Sequence, residues 1–238
     1  MPFPKKPERP CIFEYIYFAR PDSIVGGKSI YECRKVFGRE LSKESHIDAD
    51  MVIPVPDSGV PSAIGYAEQA GIPFELGITR NHYVGRTFIQ PKQSIRSFSV
   101  RLKHNANRTL VAGKKIVLID DSIVRGTTSL KIVRMMRDAG AKEIHFRVSS
   151  PPITHSDFYG IDTPSRDQLL ASEKNVAEMC EYLGADSLAF LSIEGIYRAL
   201  GHKDGRHTDC PQYTDHCFTG DYPTILEDEA GGELNSQL

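Results

Sequence analysis

Two adjacent carboxylates followed by a run of hydroxyls carry the chemistry of this 238-residue chain. Asp120 and Asp121 stand directly before Ser122-Ile123-Val124-Arg125-Gly126-Thr127-Thr128-Ser129. Paired carboxylates can accept hydrogen bonds from sugar hydroxyls or hold a hard divalent cation. Thr127, Thr128 and Ser129 add hydroxyl donors, and Gly126 lets the backbone approach a ligand closely. The flanking elements must position these groups. Ile116-Val117-Leu118-Ile119, preceded by Lys115, reads as a strand buried on both faces, as in a parallel sheet. Leu130, Val133, Met136 and Arg137 follow with helical spacing up to Gly140. The carboxylates thus fall at the carboxyl end of a strand, where open α/β sheets bind ligands. The hydroxyls fall at a helix start, whose free N–H groups and positive dipole end attract phosphate. One ligand class satisfies both halves, a phosphorylated sugar. The plain alternative is a buried strand ending in a solvated Asp-Asp turn. Carboxylates and phosphate loop at the ligand end of one βα unit argue against it.

Around this unit, elements alternate as in an α/β fold with a parallel sheet. Residues 11–17 read as a strand. Residues 29–46 read as a helix with Ile30, Cys33, Val36, Phe37 and Leu41 on one stripe. A buried strand at 50–55 ends in the turn cluster Pro56-Asp57-Ser58-Gly59. A helix at 61–70 stops at Gly71, and short strands are expected at 74–78 and 144–148. Beyond Pro152, residues 162–165 look like a helix start. Further helices are read at 173–182, closed by Gly184, and from the Ser192 cap to Leu200. These would pack on the sheet as C-terminal additions. Residues 80–108 lack a period and carry Arg80, Arg86, Lys92, Arg96, Arg101, Lys103 and Arg108. They read either as a solvated basic surface or as a cationic flap over an anionic leaving group.

Composition narrows the class. The chain is 40% hydrophobic and 25% charged with net charge −2, as soluble globular proteins are, with no bulk attraction to nucleic acid or membrane. No apolar run reaches the roughly 20 residues of a membrane span, and no signal peptide opens the chain. Five scattered cysteines predict reduced thiols and a cytoplasmic location. The expected organisation is a Pro-rich leader at 1–10, one domain at 11–220 and an acidic, disordered tail at 221–238.

Four stretches together resemble the amidophosphoribosyltransferase family. They are Glu14-Tyr15-Ile16-Tyr17-Phe18-Ala19-Arg20-Pro21-Asp22-Ser23, Val55-Pro56-Asp57-Ser58-Gly59, Arg80-Asn81-His82-Tyr83-Val84-Gly85-Arg86-Thr87-Phe88-Ile89, and Asp120 to Ser129. The last is similar to the phosphoribosyl pyrophosphate (PRPP) signature. The resemblance implies a type I phosphoribosyltransferase fold, with a central, mostly parallel sheet flanked by helices. It implies a glycosyltransferase that converts PRPP and ammonia to 5-phosphoribosylamine and pyrophosphate, the first committed step of purine synthesis, with Mg2+. Asp120 and Asp121 would engage the ribose hydroxyls and the metal shell. The loop of Arg125, Gly126, Thr127, Thr128 and Ser129 would hold the 5-phosphate, and Ser122 would also contact PRPP. Asp57, Ser58 and Gly59 would face the pyrophosphate, with Ser58 near the metal and a strained peptide in that turn. Tyr83 and Arg86 would act from the closing flap.

The resemblance also sets expectations about partners. The family frees ammonia from glutamine in an N-terminal domain that uses an N-terminal cysteine. Nothing of that kind precedes the leader here, so the expectation is the phosphoribosyltransferase half alone, dependent on free ammonia. AMP or GMP could occupy the phosphate loop, and relatives assemble as homo-oligomers. Some members hold a four-iron, four-sulfur cluster on four cysteines. Cys11 and Cys217 match two of those positions, but Asp157 and Thr214 stand at the others and are poor ligands, so no cluster is expected. Cys210 is the one thiol that could substitute. The other class of function is a PRPP- or purine-nucleotide-sensing module with the same fold and no turnover. Such regulators carry a DNA-binding extension, which this sequence lacks.

Overall fold

Four short apolar runs pair in parallel to make the sheet. The structure, a computed structural model, describes residues 8–80, 104–161 and 163–224. The described strands are β1 (Ile24–Val25), β2 (Lys28–Ser29), β3 (Met51–Pro54), β4 (Ile78–Arg80), β5 (His104–Ala106), β6 (Lys115–Asp120), β7 (Glu143–Val148) and β8 (Ser187–Phe190). The α-helices are α1 (Ile30–Ser45), α2 (Val60–Ala70), α3 (Arg108–Val111), α4 (Thr127–Asp138), α5 (Leu170–Glu173), α6 (Val176–Leu183), α7 (Ile193–Ala199) and α8 (His216–Thr219). The central sheet has the order β3-β6-β7-β8, with Met51 opposite Ile116, Lys115 opposite Glu143 and His145 opposite Ser187.

Both faces of this sheet are covered, which is why β6 reads as an unbroken apolar run. Val52, Val117 and Ile119 enter one core with Ile30, Phe37, Tyr66 and Tyr197 from α1, α2 and α7. Ile53, Ile116 and Leu118 enter the other with Ile132, Met136 and Leu183 from α4 and α6. Strand alternation sends neighbouring residues to opposite cores. On the first face α1 and α2 cross with no room to spare. A Cβ on Gly38 would sit 1.9 Å from the Ser62 carbonyl oxygen, and one on Gly65 would sit 1.9 Å from the Lys35 carbonyl oxygen.

Several sequence expectations need correction. Residues 11–17 are not a strand. Cys11 makes one bridge to Thr214, and Glu14–Phe18 then form a π-helical turn closed by the Ala19 amide on the Glu14 carbonyl at 3.1 Å. A short apolar run does not separate strand from buried helix, and here a buried arginine satisfies the turn's carbonyls. The 74–78 strand shrinks to a single bridge between Phe74 and Val52. The chain is extended instead at β4, which pairs antiparallel with β5 in a separate ribbon. The region of 162–165 holds no α-helix start; a 3-10 turn follows at Arg166–Gln168, and Asp162 lies outside the described residues. The 173–182 helix is two helices, because Asn175 adopts the extended geometry of an N-cap and forms a capping box with Glu178. The C-terminal part is also not purely helical, since β8 adds a fourth strand to the sheet.

The crossing of α1 and α2 generates a stability prediction. Gly38→Ala forces a methyl into backbone that has no side chain to move aside, so the loss is expected at the upper end of overpacking, about 3 kcal/mol. Thermal denaturation checks this, with a melting point lower by roughly 6–12 °C for a chain of this size.

Candidate active site

The carboxyl ends of β3 and β6 meet the amino end of α4 around a cavity of about 1070 Å³. Strand β6 ends at Asp120, and both carboxylates are nearly enclosed, at 6% and 5% exposed. Asp120 Oδ1 accepts the Asp121 amide at 2.9 Å, and Asp121 Oδ2 accepts the Ser122 hydroxyl at 2.7 Å. Burial first, then the charge of Asp121, push the Asp120 carboxyl well above the ordinary carboxylate range. Two like charges in a poorly solvated site favour a shared proton or a bound cation.

The loop after the pair turns at Gly126, whose φ of 71° is left-handed. A Cβ there would also press on Leu170 Cδ2 at 2.6 Å, a methyl that can swing aside, so it is the left-handed φ that calls for glycine. Helix α4 then begins at Thr127 with no side chain capping its first amides. Thr127 and Thr128 are exposed and Ser129 is buried, and all three line the cavity with Asp120, Asp121, Ser122, Arg125 and Gly126. Twelve residues of aligned peptide point their positive end into this space. The Leu170 amide donates to the Val124 carbonyl at 2.9 Å, and Arg125 Nε donates to Gln168 Oε1 at 3.1 Å, so the α5 region backs the loop.

The second predicted turn lies against the same strand end. Val55 N–H donates to the Ile119 carbonyl at 2.7 Å, and a Cβ on Gly59 would stand 2.5 Å from that same oxygen. Gly59 therefore sits behind the cavity, where only hydrogen fits, and does not line it. Asp57 and Ser58 do line it. The Pro56–Asp57 peptide is cis. Asp57 pairs with Arg80, which lies opposite His104 in the β4–β5 ribbon, so one end of that ribbon borders the cavity. The remaining predicted site residues, Tyr83 and Arg86, lie outside the described residues, as does most of the expected flap.

Sequence reasoning missed one wall. Tyr17, Phe18, Ala19, Arg20 and Pro21, at the end of the π-turn, line the cavity, as do Ile153 and Ile161. Tyr17 and Phe18 are about half exposed, and adjacent exposed aromatics running into Arg20-Pro21-Asp22 were the available signal.

The four positions compared with cluster ligands also come together. Cys11 bridges Thr214, and Cys217 packs behind them with its thiol pushed up by burial. Asp157 is otherwise engaged. It accepts the Tyr159 and Ile161 amides at 2.8 and 2.9 Å and pairs with His216 Nε2 at 2.7 Å. Among the described residues, no group of three or more His, Cys, Asp and Glu side chains is arranged to hold a metal ion.

With this geometry in place, comparison with known proteins is informative. Residues 28–151 match the model of the Phosphoribosyl transferase domain family. The chain is 62% identical over 238 residues to an amidophosphoribosyltransferase of Rhizobium etli, covering 100% of this chain and 48% of that protein. It is 53% identical over 216 residues to the Bacillus subtilis amidophosphoribosyltransferase, covering 91% and 45%. The chain therefore spans about half the length of the curated relatives it matches. Among solved structures it superposes with a TM-score of 0.83, at 51% identity, on a B. subtilis glutamine PRPP amidotransferase complexed with ADP and GMP. That match covers 92% of this chain and 48% of the other. A structure described as the allosteric regulatory enzyme of purine biosynthesis gives 0.82 at 52% identity, covering 92% and 47%. The parallel sheet with flanking helices is thus the type I phosphoribosyltransferase fold, and the chain belongs to the phosphoribosyl transferase domain family.

Proposed function

We propose that this chain transfers the phosphoribosyl group of PRPP to ammonia, as the phosphoribosyltransferase part of an amidophosphoribosyltransferase. The observation that carries this reading is a buried acidic pair and an uncapped helix amino end sharing one cavity. In the proposed complex the amides and hydroxyls of residues 125–129 bind the 5-phosphate. Asp120 and Asp121 accept the ribose hydroxyls. The turn of Asp57 and Ser58, with Arg80 beside it, faces the pyrophosphate. The bond from the anomeric carbon to pyrophosphate breaks as the bond to nitrogen forms, and the nitrogen then releases a proton. Positive charge develops on the ribose in between, and the acidic pair lies where it can offset that charge.

Magnesium fits this donor set. Mg2+ takes one or two carboxylates and completes its shell with substrate oxygens, and a buried like-charge pair such as Asp120 and Asp121 gains from a cation beside it. Ser58 lies on the same cavity and could join the shell. When bound, the ion would neutralise charge gathering on the leaving pyrophosphate. A purine mononucleotide is proposed to compete with PRPP through its phosphate, a reading supported by the nucleotides bound to the B. subtilis neighbour. The proposed unit is 11–220, within a homo-oligomer. Every cysteine is free, which supports a reducing compartment such as the cytoplasm. Among the described residues no helix is long and apolar enough to cross a membrane.

Two measurements test this reading. Incubated with PRPP, Mg2+ and high ammonium, the chain should release pyrophosphate, and Asp120→Asn with Asp121→Asn should slow release at least about a hundredfold, the scale of losing a catalytic electrostatic group. A nucleotide-sensing module would release none. The second concerns pH. A carboxyl raised on folding holds its proton more tightly in the native state, so its ionisation subtracts stability as pH climbs from the ordinary value to the raised one. Asp120→Asn should therefore raise the melting temperature at neutral pH, by roughly 2–4 °C per kcal/mol relieved, while slowing turnover. In the unsubstituted chain the acid limb of kcat/KM should fall well above the ordinary aspartate value of about 3.9. A limb at that ordinary value would contradict the assignment of Asp120.

A further inference from the structure

Arg34 lies on α1 with only 3% of its surface exposed, and among the described residues its hydrogen bonds go to carbonyl oxygens. Nε donates to the Tyr15 carbonyl at 3.0 Å and Nη2 donates to the Ala19 carbonyl at 2.8 Å. Enclosing a guanidinium is costly, and burial does push its value down, partly countered by the negative charge of Asp121. Both acceptors belong to one local structure. Tyr15 lies in the π-turn and Ala19 closes it through its amide on Glu14. Beyond that closure the chain runs straight into the cavity as Arg20 and Pro21. The aromatic side of the turn is a chain of ring contacts, Phe13 tilted on Phe18 at 5.6 Å, Tyr17 edge-on to Phe18 at 5.3 Å and Phe13 stacked on Phe218 at 6.0 Å.

We propose that Arg34 is a positioning residue for phosphoribosyl transfer: its guanidinium grips two carbonyls of the π-turn and thereby holds residues 17–21 as a fixed wall of the PRPP cavity. The inference rests on the proposed reaction, and the wall's part in it is to keep water from the reactive ribose carbon. Only arginine can do this from that position. Its rigid planar fork reaches two acceptors at once, whereas lysine presents a single compact charge on a flexible stem.

Arg34→Lys and Arg34→Met separate the fork from the charge. Both variants should uncouple the reaction: pyrophosphate release without amine formation should rise at least fivefold relative to the unsubstituted chain, with KM for PRPP changed less than twofold. Exchange of the Ala19 amide hydrogen should speed up at least tenfold in both, while amides of β6 keep their rates. Normal coupling in Arg34→Lys would overturn the proposal, because charge alone would then suffice. Unchanged Ala19 exchange in a folded variant would overturn it as well, leaving Arg34 a core strut. Should Arg34→Met fail to fold, Arg34→Lys decides alone. If the unsubstituted chain releases no pyrophosphate, the parent reading fails, and the exchange measurement still judges the clamp.

Discussion

Two carboxyl groups held side by side out of water are the constraint on which this structure turns. Asp120 and Asp121 end a strand enclosed on both faces, where charge repulsion is weakly screened. The protein offsets part of that cost locally. A backbone amide donates to one carboxylate, a serine hydroxyl to the other, and the charge of Arg34 acts on Asp121 from behind. The positive end of α4 opens onto the same space. What local groups leave unbalanced is available to a ligand, and a site that is costly when empty gains most when filled.

Close backbone contacts keep that arrangement rigid. The Asp57–Ser58 turn can rest on the end of β6 only because Gly59 has no Cβ. Behind them, Gly38 and Gly65 let α1 and α2 approach to backbone contact. The first approach fixes the Asp57–Ser58 side of the cavity against the end of β6, and the second locks the two helices that cover one face of the sheet. Such contacts leave little room for adjustment, because main-chain atoms cannot rotate away as side chains can.

Polar links hold the C-terminal segment against the N-terminal one. Asp215, fully enclosed, accepts the Tyr197 hydroxyl at 2.7 Å, Arg206 Nε at 2.7 Å and the Thr219 hydroxyl at 3.1 Å. The Ile12 amide donates to the Thr214 carbonyl and the Thr214 amide to the Pro10 carbonyl. Asp157 and His216 pair nearby with Tyr222 stacked on the imidazole at 4.9 Å. The chain entering the π-turn is thus anchored by residues some two hundred positions later. Cys11, Thr214, Asp157 and Cys217 meet in this corner, where the Cys11–Thr214 bridge and the Asp157–His216 hydrogen bond tie the same segments together.

What could be read in the residues alone was whatever is local. The β6 run, the acidic pair, the glycine-hydroxyl loop and the periodic face of α4 follow one another in sequence, so spacing alone places them at one sheet edge. The cap at Ser192 was legible for the same reason. The misread parts depend on partners far away in the chain. Residues 11–17 carry an apolar pattern that suits a strand, yet the Tyr15 carbonyl is met by Arg34 on α1 and the Ile12 amide by Thr214, which no local pattern reveals. Strand β8 is four half-buried residues long and becomes a strand only because β7 lies beside it. The sequence by itself determined which groups of the βα unit stand together, since they are neighbours in the chain. Tertiary structure alone decided the cavity's other wall and its buried arginine, because long-range hydrogen bonds and burial have no local signature.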